Sequence, residues 1–441
     1  AIRKQTRKNG KKTIDLSPYS IFQYVATDSS IMLVSEINPL EHLRGNNMLT
    51  FSGHQGRNER TMTGETRAFH KSARGIMSEG GVDSGMVGIN VIMPANPNIT
   101  SLYGGIGKTD PVKDKNIPGL FSVNALASPG GLHEDSTPLT FKGIQDAHTR
   151  PCKNYKPYAW RTGMDSVIAD QCTSEKFAIT AKEEGVVVEK TPHFVTVKYA
   201  SGKTESYKYG KLFGVSAGTI VPMPTVCDVE KGEKFKVGTP IVYNTDFFSR
   251  DPCSPEGRLV FQFGIPVTVQ FHDNSDTIED STAISKRLAK ELSIDVTHQR
   301  VVTAKFTDEV YDLVKLGQLV HQEDSLCKIL DKAAAAVIEN EDTVGDTLEY
   351  LDRTTPRAKY GGTVESIEIY YHGELEDMTE SLRKYVKQSD ASIAQRHPEG
   401  KAFSGSCGDN FRVEGKQLAA NTVAICIKIT DAEPMGSSDK G

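Results

Sequence analysis

Several short patterns in this chain have residue types and spacings that could do chemistry. Gly104-Gly105-Ile106-Gly107-Lys108-Thr109 resembles the tail of a phosphate-cradling loop. The full pattern needs a glycine where Leu102 stands, and Asp110-Pro111 blocks a helix start where the phosphates would need one, so the phosphate-loop reading fails. Gly214-Val215-Ser216-Ala217-Gly218 fits the spacing of a serine nucleophile elbow, which must lead straight into a helix. The following Thr219-Ile220-Val221-Pro222-Met223-Pro224 is extended and proline-broken, so chance explains the match. No His pair has metal-ligand spacing and no Cys-x-x-Cys pair occurs, which argues against a zinc site.

The acidic stretch Asp276-Thr277-Ile278-Glu279-Asp280-Ser281 is the most informative. Taken alone, carboxylates ahead of Ser281-Thr282-Ala283-Ile284 suit a helix N-terminus, where the dipole favours negative charge and Ser281 can cap. Lys440, next to the last residue, carries no information by itself. Arg57, Arg60, Arg67 and Arg74 punctuate a polar basic run that reads as an exposed loop, and alone they are surface charges.

The elements that must position these residues read as follows. The first 225 or so residues are rich in Gly, Asn and turn signals, with short helices expected over Ser20 to Leu33 and Leu40 to Leu49. Val186 to Tyr209 alternates apolar and polar residues around Ala200-Ser201-Gly202-Lys203, which predicts a hairpin. From Val226 onward, short β runs separated by tight glycine turns such as Gly232 and Gly238 predict compact barrels. A helix is expected at Ser281 to Leu292, capped by Ser281 or a neighbour. Another is expected within Asp377 to Gln395, mostly solvated. Glu339 to Asp352 is acidic and reads as a solvated face.

With 441 residues the chain has room for two to four domains. Lys plus Arg total 52 and Asp plus Glu 57, so the net charge of −5 neither requires nor excludes nucleic acid, because only the local field acts on a phosphate. No apolar run reaches the roughly 18 residues of a membrane span, and no signal-peptide core follows the basic start. Seven scattered cysteines read as reduced thiols in an intracellular protein.

Several blocks, in order, resemble the β (second-largest) subunit of multisubunit DNA-directed RNA polymerases. Asn38-Pro39-Leu40 matches the N-P-L block of the rifampicin-pocket region. Glu59-Arg60 and the loop to Arg67 resemble fork loop 2, and Glu79 and Gly88 are retained from the family's E-T-P-E-G-P-N-I-G-L region. Gly143-Ile144-Gln145-Asp146-Ala147-His148-Thr149-Arg150-Pro151, with Arg161 to Ala169, is similar to G-A-N-M-Q-R-Q-A-V-P…G-T-G-M-E-x-x-V-A. Tyr207 to Thr219 matches Y-x-L-x-K-Y-x-R-S-N-Q-x-T by spacing, keeping Lys211 and Thr219. Val229 to Ile241 resembles the double-glycine segment of the sandwich barrel. Arg258 to Ser281 resembles the block ending in E-D-S. Leu316 to Ile329 and Gly362 to Gly373 look like the flap. Thr422 to Gly441 resembles the strand entering G-D-K-x-A-G-R-H-G-N-K-G, so Lys440 falls on one of two active-site lysines. The match stops inside that motif, which implies a longer protein or a β subunit divided here.

The resemblance implies an α+β, mostly β, multidomain polymerase β-subunit fold: a fork and rifampicin-pocket-like region over 1–225, a hybrid-binding sandwich-barrel segment with the E-D-S motif over 226–294, a flap-like domain over 295–420 and a return strand over 421–441. It implies catalytic roles for Glu279, Asp280 and Lys440. The incoming nucleotide would be met by His148 or Arg150, between which the register does not choose. Nucleic-acid contacts would fall to Arg57, Arg60, Arg67, Arg74 and Lys211. Mg2+ would be held mainly by a β′-type partner, with Glu279 and Asp280 reaching a second ion through water. The implied partners are that subunit, remaining β pieces, DNA, RNA, nucleoside triphosphates and a promoter-specificity factor at the flap, with no membrane. Split subunits of this kind resemble those of giant bacteriophages, which implies the cytoplasm of an infected host. A non-catalytic nucleic-acid-binding scaffold with polymerase-like barrels is the alternative.

Overall fold

The computed structural model describes residues 18–27, 31, 33–52, 56–82, 84–102, 105–107, 113, 115–254, 257–271, 282–331, 355–437 and 439. Gly104, Lys108 and Thr109 of the rejected phosphate-loop match lie outside them, as does the acidic run Glu339 to Asp352. The fold is α+β with mainly antiparallel sheets, in two compact units: Ala1–Ser35 with Leu40–His148, and Glu36–Pro39 with Thr149–Gly441.

The first unit contains α1 (Pro18–Ala26) and all but the first residue of α2 (Pro39–Asn46). Strand β1 (Met48–Thr50) pairs antiparallel with β2 (Asn90–Ile92), and α3 (Val123–Ala127) and α4 (Ser136–His148) follow. The expected helix to Leu49 stops at Asn46, because Met48 and Leu49 are drawn into the ladder opposite Ile92 and Val91. Tertiary pairing outweighs local helix preference there. Leu40, Leu43, Ile89, Ile92, Val123 and Leu139 are buried in this unit.

The second unit is built on β strands. They are β3 (Ala178–Thr180), β4 (Gly185–Lys190), β5 (Phe194–Tyr199), β6 (Thr204–Lys208), β7 (Gly210–Ser216), β8 (Thr219–Cys227), β9 (Lys234–Phe235), β10 (Pro240–Asn244), β11 (Phe248–Arg250), β12 (Leu259–Phe261), β13 (Ile294–Lys305), β14 (Glu309–Tyr311), β15 (Leu319–Val320), β16 (Lys328–Leu330), β17 (Gly362–His372), β18 (Arg412–Val413), β19 (Lys416–Gln417) and β20 (Thr422–Glu433). Three helices join them: α5 (Met164–Gln171), α6 (Lys286–Glu291) and α7 (Glu380–Gln395).

An eight-stranded sheet runs in the order β15-β17-β20-β13-β8-β10-β3, with β7 paired to β8 as a branch. Its spine is the long ladder from Ile294↔Glu433 to Lys305↔Thr422. The β7–β8 hairpin turns at Ala217 and Gly218, both at positive φ, so Gly214-Val215-Ser216-Ala217-Gly218 leads into a strand and not a helix. The hairpin expected at Ala200 to Lys203 is β5–β6, joined by β4 and β9 into a four-stranded sheet. Gly232 and Gly238 have φ of 83° and 84°, which explains glycine at both turns.

Two further expected helices differ from their prediction. The helix expected from Ser281 is α6, which begins at Lys286 after Ser285, whose side chain accepts the Leu288 N–H (3.1 Å). That cap satisfies an otherwise orphan donor and fixes the start. The helix expected to be mostly solvated, α7, packs on β17 and buries Leu382, Val386 and Ser389 completely or nearly so. Ser389 Oγ accepts the Ile369 N–H (2.9 Å), and Asp390 accepts the Gly405 N–H (2.7 Å) and the Tyr371 hydroxyl (3.1 Å). Pairing across the sheet brought these partners to the helix, and they lie beyond its own periodicity.

None of the seven cysteines forms a disulfide. No helix among the described residues is long and apolar enough to cross a membrane.

Candidate functional site

Three sequence-distant stretches of the second unit meet at the short helix α6. The first is the segment after Arg150-Pro151. Cys152 Sγ donates to the carbonyl of Glu291 (3.3 Å) and Asn154 Nδ2 donates to the same oxygen (2.7 Å). A last-turn carbonyl has no partner inside its helix, so these two donors act as a C-terminal cap supplied from elsewhere in the chain. The second stretch is α6 itself, which follows the acidic block by only a few residues. The third is the end of β20: Met435 N donates to the Ala289 carbonyl (3.1 Å), and Glu433 lies opposite Ile294.

Glu279, Asp280 and Lys440 fall outside the described residues. Their anchors do not. Asp280 is five residues before Ser285 and Lys440 five residues after Met435.

The other residues singled out in the sequence divide into those built into the framework and those at its surface. Arg150 sits in this region with its carbonyl accepting the Tyr155 hydroxyl (2.6 Å), and its Nη1 is shielded from solvent with no hydrogen-bond partner among the described residues. Asn38 of the N-P-L block is fully buried and donates to both the carbonyl (2.9 Å) and the Oγ1 (2.8 Å) of Thr149. Two blocks more than a hundred residues apart are therefore bonded directly. His148 ends α4 in the first unit and is exposed.

Arg161 joins Asp165 and Asp251: its Nε lies 2.6 Å from Asp165 Oδ2 and its Nη1 3.0 Å from Asp251 Oδ1. The Arg161 hydrogen bond holds the Asp251 carboxyl below the usual carboxylate range. Asp165 is 4 % exposed, and the triad fixes the start of α5 against the turn after β11. Lys211 is ion-paired to Glu365 of β17, so it serves the sheet.

In the first unit, the Arg57–Arg74 run folds into three single turns, at Glu59–Thr61, Glu65–Arg67 and Lys71–Ala73. Arg57 lies over the rings of Phe51 and Phe69 and donates to the carbonyls of Arg67 (3.1 Å), Gly88 (2.6 Å) and Ala68 (3.0 Å). Arg67 donates to the carbonyls of Gly85 (2.6 Å) and Val87 (2.7 Å). A Cβ at Gly88 would meet the Arg67 carbonyl at 2.8 Å, so the close approach requires glycine. These two guanidinium groups hold the loop together. Arg60 and Arg74 are exposed, and neither forms an ion pair among the described residues. Glu79 accepts from the N–H (2.9 Å) and hydroxyl (2.5 Å) of Ser122, the residue that caps α3.

Sequence reasoning missed a charged group close to Cys152. Asp246, Asp295, Lys153 and Ser293 line a small cavity beside Pro151 and Pro222, and Lys153 pairs with Asp295 (2.7 Å). Burial pushes the Asp246 carboxyl up to about 6; Lys153 opposes this and Asp295 adds to it. The available signal was a lone carboxylate directly before Phe247 and Phe248. Because the folded pKa exceeds the unfolded value, the stabilising effect of protonation is complete below the unfolded carboxyl range and is lost as pH rises through about 6. Asp246→Asn, always neutral, is expected to gain stability relative to the parent between about pH 4 and about pH 8 in urea melts. A constant difference across that range would show that Asp246 titrates normally.

Among the described residues no group of three His, Cys, Asp or Glu side chains converges to hold a metal. No known protein-family model matches the chain, and no curated protein matches it.

Proposed function

We propose that this chain is a β-type piece of a multisubunit DNA-dependent RNA polymerase, contributing one wall of the active site and acting only with its partners. The observation that carries this reading is the meeting at α6 of the flanks of three blocks that resemble the β subunit. Cys152 and Glu291 are 139 positions apart in sequence, yet they are bonded.

On this reading Lys440 supplies a positive point charge to phosphate oxygens, and Arg150 stands beside the entering nucleotide. His148 stays an alternative to Arg150. Glu279 and Asp280 face the triphosphate side, and Mg2+ is held mainly by a β′-type subunit that also carries the metal-binding aspartates. Arg60 and Arg74 contact nucleic-acid phosphates as exposed charges, giving salt-dependent affinity. Arg57 and Arg67 support that loop from within, and Lys211 acts through the sheet. The polymerase-type fork, sandwich barrel and flap, a specificity factor at the flap, and a phage-infected cytoplasm belong to the same proposal.

Purification of the native assembly tests it. The chain is expected to co-elute with a second large subunit bearing the aspartate cluster, and the complex is expected to extend RNA on a DNA template. A chain that is recovered only by itself, or only with partners lacking such a cluster, would overturn the reading and favour the scaffold.

A further inference from the structure

The turn between β10 and β11 buries a carboxylate that nothing pairs. Asp246 is 8 % exposed, and its side chain has no hydrogen-bond or ion-pair partner among the described residues. Its backbone is fixed. The Asp246 N–H donates to Asn244 Oδ1 (2.8 Å), and the fully buried Asn244 donates in turn to the Lys176 carbonyl (3.1 Å). The buried Phe247 and Phe248 follow. The carboxylate therefore cannot swing into solvent while this turn stays folded. It lines a cavity of about 10 Å3, room for about one water molecule, so it cannot be fully hydrated where it stands.

The wall of that cavity with the weakest hold is residues 151–154. Pro151 and Lys153 line the cavity, and Cys152 lies between them in sequence. Residues 151–154 make no backbone hydrogen bond to a helix or strand among the described residues. Side chains hold them instead: Cys152 and Asn154 on the Glu291 carbonyl, and Lys153 on Asp295. The remaining walls are Val221 and Pro222 of β8, Asp295 of β13, and Ser293, whose Oγ donates to the Lys290 carbonyl of α6 (2.6 Å). Lifting residues 151–154 does two things at once. It breaks the cap on α6, and it admits water to Asp246.

Two events joined in this way are linked thermodynamically. Burial pushes the Asp246 carboxyl up to about 6; Lys153 opposes this and Asp295 adds to it. Cys152 and Tyr155 also lie within electrostatic reach, and burial pushes both of them up, while the Asp295 hydrogen bond pushes Lys153 up. Those three groups keep one protonation state between pH 5 and pH 7. The closed arrangement therefore has its full stability below the solvated carboxyl range and loses it as pH rises through about 6.

We propose that residues 151–154 and Asp246 form a pH-sensitive latch on the C-terminal end of α6, closed over neutral Asp246 and opened more often once Asp246 is ionised. The proposal does not depend on the polymerase reading, since it needs only groups of this chain.

Labelling of the full chain with N-ethylmaleimide, read by peptide mass spectrometry, tests it. Cys152 is 2 % exposed and reports the latch, and Cys426, inside the β13–β20 ladder and 6 % exposed, reports unfolding of the sheet. Rates divided by those of the urea-unfolded chain at the same pH give opening constants. The Cys152 constant is expected to rise about tenfold between pH 5 and pH 7, the ratio that follows from carboxyl values of about 6 closed and about 4 open. It is expected to exceed the Cys426 constant about tenfold or more at both pH values, because the opening is local. Asp246→Asn is expected to abolish the rise. Lys153→Gln, at a mostly exposed side chain, removes the opposing cation, and the rise is expected to end at a higher pH than in the parent. A flat Cys152 profile in the parent, or the same rise in Asp246→Asn, would overturn the latch. So would equal constants at Cys152 and Cys426, which mark unfolding of the whole sheet. An unchanged or lower end-point in Lys153→Gln would overturn the arrangement of charges around Asp246.

Discussion

In the proposed polymerase assembly, replacing Glu279 and Asp280 together by alanine is expected to lower nucleotide addition about a hundredfold, the size of loss seen when one preorganised electrostatic contact leaves a reacting centre. DNA affinity is expected to change by less than about twofold, and toward tighter binding, because the substitutions remove negative charge near a polyanion. The asymmetry follows from chemistry. Duplex and hybrid are held by cations on their phosphates, and carboxylates cannot contribute to that attraction. The reacting triphosphate needs its groups aligned to a fraction of an ångström, and loss of an aligned pair falls on kcat. Parallel measurement of single-nucleotide extension and DNA binding on the same preparation separates the two. Equal loss of both would mean that the acidic block supports the fold, as a helix cap would. No loss of either would remove it from the site.

The second large effect is on stability. Phe261 is 2 % exposed at the centre of an aromatic cluster: Phe247 stacks on it at 6.0 Å, Phe248 meets it edge-on at 5.5 Å, and Phe263 at 4.6 Å. The same strand packs under α5. Phe261→Ala is expected to cost about 3–5 kcal/mol, the sum of lost transfer energy and an unfilled cavity. Phe261→Leu should recover most of it, since volume-conserving swaps cost under about 1.5 kcal/mol. Urea unfolding of the second unit's signal gives both numbers. The cluster also holds the frame of the candidate site: β11 pairs with β12, and the turn after β11 carries Asp251, which Arg161 grips. A fall below about 1 kcal/mol for the alanine variant would mean that the neighbouring rings collapse into the space.

Much of the framework was legible locally. The turn at Ala200 to Lys203 and the left-handed glycines Gly232 and Gly238 are decided by φ preferences of a few residues, and such preferences are written in composition and spacing. The prolines after Ser216 exclude the helix that a nucleophile elbow needs, and Ala217 and Gly218 at positive φ turn β7 into β8. The basic run from Arg57 was legible as a loop. The commitment of Arg57 and Arg67 to backbone carbonyls was not, because Gly85, Val87 and Gly88 come to them only through folding of a distant stretch.

The acidic block shows the same division. Its sequence sets two carboxylates and Ser281 ahead of a helix, and no acidic residue stands in the first turn of that helix. Where the helix begins was decided by Ser285 and not Ser281. What lies beside that helix was decided by tertiary structure alone. Cys152 and Asn154 reach its last carbonyl, and Met435 reaches its middle. The physical reason is range. Turn and cap energies act over four or five residues, whereas the contacts that gather this site join positions more than a hundred residues apart, and only packing of the sheet between them sets which ones meet.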